Sequence, residues 1–250
     1  MNSQLQPLSP VQHLGTGLRT AKDWSFCQPL DAVPIALNEF ADLSCQHPII
    51  FSLGSVPQPL AILGTQAGKN DFLDAQHQWP PHHKVPIALQ HHPFSITKDS
   101  SGATRAIVLI DASASRLVPL EEDDSAVPLF TFDGHPSPLL STITQELGIH
   151  WRALQEGIAF GQALNKTGLL EDVRATIRLS DGSTHTTRTF RRVKLSAYRA
   201  LPEMELNSWF RRGWIDAIAV HLASLNRWMH LFERSQQWSP VNSPQTHVGE

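Results

Sequence analysis

Short apolar runs separated by turn chemistry fill the first half of the chain. Val33–Leu37, Pro48–Leu53, Pro59–Leu63, Pro86–Leu89, Phe94–Thr97 and Ala106–Ile110 are each four to six residues long. That is too short for ordinary globular helices and suits strands. Gly54-Ser55, Gly64-Thr65 and Gly68-Lys69-Asn70 separate the runs, so this half is predicted to be β-rich. The segment 98–104 predicts a hairpin loop. Pro128-Leu-Phe-Thr-Phe132 predicts one more strand, ended by the Asp133-Gly134 turn.

The period then changes. Ser137-Pro138 fits an N-cap followed by proline at the first helical position. Ile143, Leu147, Trp151, Leu154 and Ile158 follow at spacings of four, four, three and four. They mark one face of a helix that runs to about Asn165 and stops at Gly168. Val173–Leu179, Asp181-Gly182 and Thr184–Leu195 predict a β-hairpin, with Val173, Ala175, Ile177 and Leu179 alternating inward. Pro202 opens a short helix that ends before Gly213. Trp214, Ile218, Leu222, Leu225, Met229 and Phe232 predict one long helix over 214–235.

The expected fold class is therefore α+β. A mainly antiparallel twisted sheet or partly closed barrel spans 31–135, and helices with a β-hairpin span 136–235. Residues 1–30 read as an irregular arm pinned by Trp24 and Phe26. Residues 31–235 read as a single domain, and 236–250 as a flexible tail.

Composition narrows the function classes. The chain has 250 residues, 41% hydrophobic and 17% charged, which is incompatible with a highly charged disordered chain. Its formal net charge is −3, so no global basic field attracts nucleic acid. The balance is uneven: Glu171–Ser235 holds 11 Lys/Arg against 7 Asp/Glu, and the rest holds 9 against 16. Such asymmetry suits a charge match within the chain or between copies, hence a homo-oligomer. The start has neither the basic nor the apolar region of a secretory leader. No apolar run approaches the roughly 18 residues of a membrane span. Cys27 and Cys45 read as free buried thiols of a cytoplasmic protein.

Nucleophile and nucleotide motifs are missing. There is no Gly-x-Ser-x-Gly elbow. Gly64-Thr-Gln-Ala-Gly-Lys-Asn70 lacks the spacing of a phosphate loop. Gly157 and Gly161 read as a close-packing contact in a core helix. His13, His47, His77, His82, His83, His91 and His92 crowd the first half, but without convergent ligand spacing, so neither a metal nor another cofactor is expected. Asn70-Asp71 and Asp74 read first as turn-capping groups. His221 reads as a hydrogen-bonded core histidine.

An ordered set of landmarks carries a resemblance. Pro34–Phe51 is followed by Leu60-Ala-Ile-Leu-Gly64, Asn70-Asp-Phe-Leu-Asp74, Trp79 and Pro93-Phe94. Later come Ile107–Asp111, Pro128-Leu-Phe-Thr-Phe-Asp-Gly-His-Pro-Ser137, Gly168-Leu-Leu-Glu171, Arg211-Arg-Gly213 and Ala219–Leu225. Over roughly residues 30–235 the chain resembles the SapC-like family, a bacterial family named for an association with surface layers. That resemblance brings no catalytic roles with it.

Two functions are compatible with these residues. The first is a non-catalytic binding or accessory protein whose small-molecule or protein partner is met near the 70–94 loops. Asn70, Asp71, Trp79, Glu39 and His77 are its candidate ligand-binding residues, with Trp79 as an exposed aromatic platform and Asp71 as a hydrogen-bond acceptor. The alternative is an enzyme in which Glu39, Asp71, His77 and His221 converge in one pocket.

Overall fold

The computed structural model describes residues 4–98 and 106–237. The first part contains β1 (Leu5–Pro7), α1 (Pro10–His13), β2 (Thr16–Leu18), β3 (Ala32–Pro34), α2 (Phe40–Leu43), β4 (Ile49–Phe51) and β5 (Pro59–Ile62). Then come α3 (Ile87–Gln90), β6 (Phe94–Lys98), β7 (Ala106–Asp111), β8 (Leu117–Pro119) and β9 (Val127–Pro128). The second part opens with α4 (Pro138–Lys166), followed by β10 (Leu170–Val173), β11 (Thr176–Arg178), β12 (Thr184–Thr186) and β13 (Phe190–Val193). It ends with α5 (Leu195–Arg199), α6 (Glu203–Arg211), α7 (Trp214–Ser224) and α8 (Arg227–Gln237).

The fold is α+β with open antiparallel sheets, and most of its helix lies in the C-terminal half. The central sheet has the order β10-β13-β4-β5-β3. Successive side chains of a strand point to opposite faces. Ile49 and Phe51 face α4 and α7, where the Phe51 ring meets Phe160 at 5.7 Å and His221 at 5.1 Å. Ile50 faces the other way, beside its register partner Leu60.

α4 joins two cores. Ser137 caps it by accepting from Leu140 N–H, with Pro138 at its start, as the sequence predicts. Its first turns pack Leu140 and Leu147 into a smaller core with Leu18, Phe94 and Ile110. Its last turns place Phe160 and Leu164 in the main core. Gly161 is required there: a Cβ would meet Pro57 O at 2.0 Å. The Gly157/Gly161 pair is thus the close-packing contact that its spacing implies.

Four expectations need correction. The arm at 1–30 is not irregular where it is described. β1 pairs with β7, and β2 lies between β8 and β9, because these short segments supply ladder hydrogen bonds and Leu18 enters the smaller core. Ile87–Gln90 is a helix, not a strand; Glu39 accepts from Ile87 N–H at 2.8 Å and holds its first turn. The single helix over 214–235 is two helices. Ser224 Oγ donates to His221 O at 2.6 Å and accepts Ile49 N–H at 3.0 Å, and the chain turns before α8. The new phase buries Trp228, Leu231 and Phe232 and leaves Met229 exposed. Finally, both cysteines are free, but Cys45 is exposed, and only Cys27 is buried.

The β6–β7 pairing agrees with the predicted hairpin, whose loop at 98–104 falls, apart from Lys98, outside the described residues. The tail from 238 onward lies outside them too. Among the described residues no helix is long and apolar enough to cross a membrane.

Candidate ligand site

A cleft of about 410 Å³ opens between α8 and the segments that follow α2 and β5. Each wall is fixed by a specific polar bond. Gln46 Oε1 accepts from Lys84 N–H at 2.8 Å, which anchors the 82–84 loop to the end of α2. Arg227 Nε donates to Ser44 O at 3.3 Å and ties α8 to the same end. Phe72, from the loop after β5, forms the aromatic part of the lining.

Arg234 is the central cation. Its guanidinium sits 4.9 Å from the Phe72 ring centroid, a cation–π distance. One N–H reaches His83 Nε2 at 3.2 Å. Arginine can only donate, so Nε2 accepts; Nδ1 then carries the hydrogen and donates to Pro81 O at 3.2 Å. In that tautomer His83 uses both ring nitrogens. Burial lowers the Arg234 pKa, and the Asp71 charge opposes that shift. The guanidinium stays charged, as arginine does in proteins.

The cleft is rich in unspent donors. A guanidinium has five N–H groups. Among the described residues Arg227 and Arg234 each make a single side-chain hydrogen bond. The ion pairs nearby are Lys69–Asp71 and His230–Glu233, and neither arginine takes part in one. Two half-buried guanidiniums with free N–H groups, in a lining whose one carboxylate, Glu233, faces His230, form an anion-accepting surface.

The predicted site residues take other places. Trp79 is 8% exposed, stacked on Phe72 at 5.3 Å and tilted against Trp24 and His47 at 6.2 Å each. The expected exposed platform is overturned: Trp79 is a core residue, and Phe72 is the ring that reaches the cleft. Asp71 lies behind it and directs its carboxylate inward. Oδ2 accepts from Thr65 N–H at 2.8 Å and Thr65 Oγ1 at 3.0 Å, and Oδ1 pairs with Lys69 at 3.2 Å. These bonds close the 64–71 loop, where a Cβ on Gly64 would strike Lys69 O. Asn70 donates to Cys27 O at 3.2 Å and accepts Phe72 N–H at 2.9 Å, so it links the loop to the N-terminal segment.

His77 has φ 55° in a turn organised by Asp74, whose Oδ1 accepts Gln76 and Gln78 N–H; this is the turn chemistry that its sequence predicts. His77 does not line the cleft. Nor does Glu39, whose carboxylate accepts from Ala36 and Ile87 N–H and stands 3.9 Å from His150. Burial raises the Glu39 pKa. His221 is fully buried between Val193 N–H and Ile49 O, the core role expected of it. Glu39, Asp71 and His221 thus have separate partners, and none of the four candidates, His77 included, lines the cleft.

A SapC family model covers residues 8–231. The chain belongs to the SapC family. No curated protein and no solved structure matches it. The SapC match takes in Phe72, His83, Arg227 and His230 and ends before Arg234.

Sequence reasoning missed these cleft residues. A signal for three of them exists. Arg227, His230 and Arg234 are spaced three and four apart, so they share one helix face. Treating 214–235 as one continuous helix put the emphasis on its apolar stripe instead. Gln46, Phe72 and His83 have no such signal, because they meet α8 only through the tertiary fold.

Proposed function

We propose that this SapC protein is a non-catalytic binding or accessory protein that takes a small anionic ligand in the cleft between α8 and the 70–94 loops. The observation that carries the reading is the pair of half-buried arginines, each with one hydrogen bond and no carboxylate partner among the described residues. A charged group withdrawn from water is stable when another charge or a set of acceptors faces it. A carboxylate or phosphate entering the cleft supplies both. The separate partners of Glu39, Asp71 and His221 favour binding over the enzymatic alternative. A cytoplasmic setting is part of the same proposal.

The test uses the full chain with pyrophosphate, succinate and citrate as probes. At least one should bind with one-to-one stoichiometry by calorimetry and raise the melting temperature. Arg227→Met with Arg234→Met should remove both effects while the protein remains folded. Absence of binding by all three anions, or unchanged binding in the double variant, would refute the site.

A further inference from the structure

The cleft follows one face of α8. Arg227, His230 and Arg234 all line it, and their spacings of three and four put them on one side of the helix. The two arginines stand seven residues apart in sequence. Their Cα atoms are therefore about 10 Å apart along the helix axis. Arg227 marks one end of the cleft along α8 and Arg234 the other, with His230 between them.

Three observations define the shape of the ligand. The arginines are held by different segments: Arg227 by Ser44 O at the end of α2, and Arg234 by His83 and the Phe72 ring. Among the described residues the charge that acts on Arg234 is that of Asp71, not of Arg227, so the two cations are separate binding points. Glu233, the carboxylate of the lining, accepts from Ser180 Oγ at 3.4 Å and faces His230 at 3.7 Å, which leaves both arginines their free donors. A compact anion meets one guanidinium at a time, whereas an anion charged at both ends meets two. Joining two contacts in one molecule makes the second intramolecular, and the gain is greatest when the linker matches the span.

We propose that the cleft is a two-point site for elongated dianions, in which one terminal carboxylate pairs with Arg227 and the other with Arg234. The inference rests on the anion-binding reading of the same cleft and adds the class of ligand: a linear α,ω-dicarboxylate, long enough to reach from one arginine to the other.

Three probes separate length from charge. Suberate and succinate carry the same charge at different lengths, and octanoate has the length of suberate with one charge. Titrated calorimetrically into the full chain, suberate should bind with one-to-one stoichiometry. Its affinity should exceed that of succinate and of octanoate by at least about tenfold, the worth of one further charge-assisted pair. Arg227→Met and Arg234→Met should each weaken suberate by at least about tenfold, to the level of octanoate on the wild type. The comparison of the three probes on the unaltered chain does not depend on how either variant folds. The proposal is overturned if suberate binds no tighter than succinate or octanoate, or if either single variant holds suberate as the wild type does. Equal affinity for succinate and suberate would sink the two-point site and leave the anion cleft standing. Absence of binding by every anion, pyrophosphate and citrate included, would remove both.

Discussion

His221 and His83 make the same kind of bonds in two regions with opposite roles. Each accepts one hydrogen bond on Nε2 and donates one from Nδ1 to a main-chain carbonyl. The donor to His221 is the Val193 backbone, and its acceptor is Ile49 O; the site is sealed between β4, β13 and α7. The donor to His83 is the guanidinium end of Arg234 at the lip of a cleft. At His221 both ring nitrogens are consumed by main-chain partners that cannot leave. In the cleft the partner is a cation with donors to spare. The lesson is that residue type does not separate structure from recognition here. What separates them is whether the surrounding groups are already satisfied.

Acid should break the core side of the comparison with the largest effect. Burial lowers the pKa of His47, His150 and His221 from 6.5 to about 4 each. Above pH 6.5 these groups are neutral in both folded and unfolded chains. As pH falls from 6.5 to about 4 the unfolded chain takes up protons that the folded one refuses. Stability present above the unfolded pKa is therefore lost across that window, by up to about 3 kcal/mol per histidine. Glu39 runs the other way: its raised pKa adds stability at low pH that is lost as pH rises through the folded value. One carboxyl against three imidazoles leaves a net loss. Chemical denaturation at pH 7.5 and pH 4.5 measures it; equal stability at the two would contradict the buried neutral histidines.

Trp79→Ala comes next. Removing a stacked core ring costs about 3–5 kcal/mol. A melting curve distinguishes this from the nearly unchanged stability that an exposed platform would give. His221→Leu follows, at roughly 2–5 kcal/mol, because Val193 N–H and Ile49 O are left buried and unpaired. Its affinity for the cleft anions, measured on the folded fraction, should stay at the wild-type value.

Local pattern made much of the fold legible. α4 was readable to its ends because Ser137-Pro138 and Gly168 are local signals, but its buried face runs through Leu147, His150, Gly157 and Phe160, and the expected Ile143, Trp151, Leu154 and Ile158 are only half-buried beside it. The β6–β7 pair and the hairpin after Val173 were readable for the same reason. The break before α8 was not. It depends on a Ser224 hydroxyl shared between His221 O and a strand 175 residues away in sequence. Trp79 shows the same limit at the site. Its flanking Gln78, Pro80 and Pro81 have loop chemistry, yet the loop folds inward and stacks the ring on Phe72. The cleft as a whole joins residues 45, 72, 83 and 234, and spacing along the chain cannot encode such a meeting.

The smallest stability effect belongs to Arg234, and it sharpens the comparison most. Arg234 contributes a cation–π contact with Phe72 and one hydrogen bond to a partly exposed imidazole. Each is worth about 0.5–1 kcal/mol at a site open to water. Replacing a half-buried cation by methionine also removes the cost of keeping its charge from solvent, which offsets part of that loss. Arg234→Met should therefore change stability by no more than about 1 kcal/mol, several-fold less than His221→Leu. Urea denaturation of the two variants at pH 7.5 measures the contrast. A loss in Arg234→Met as large as in His221→Leu would mean that the cleft arginine is held as tightly as the core histidine, and the distinction between the two regions would fall.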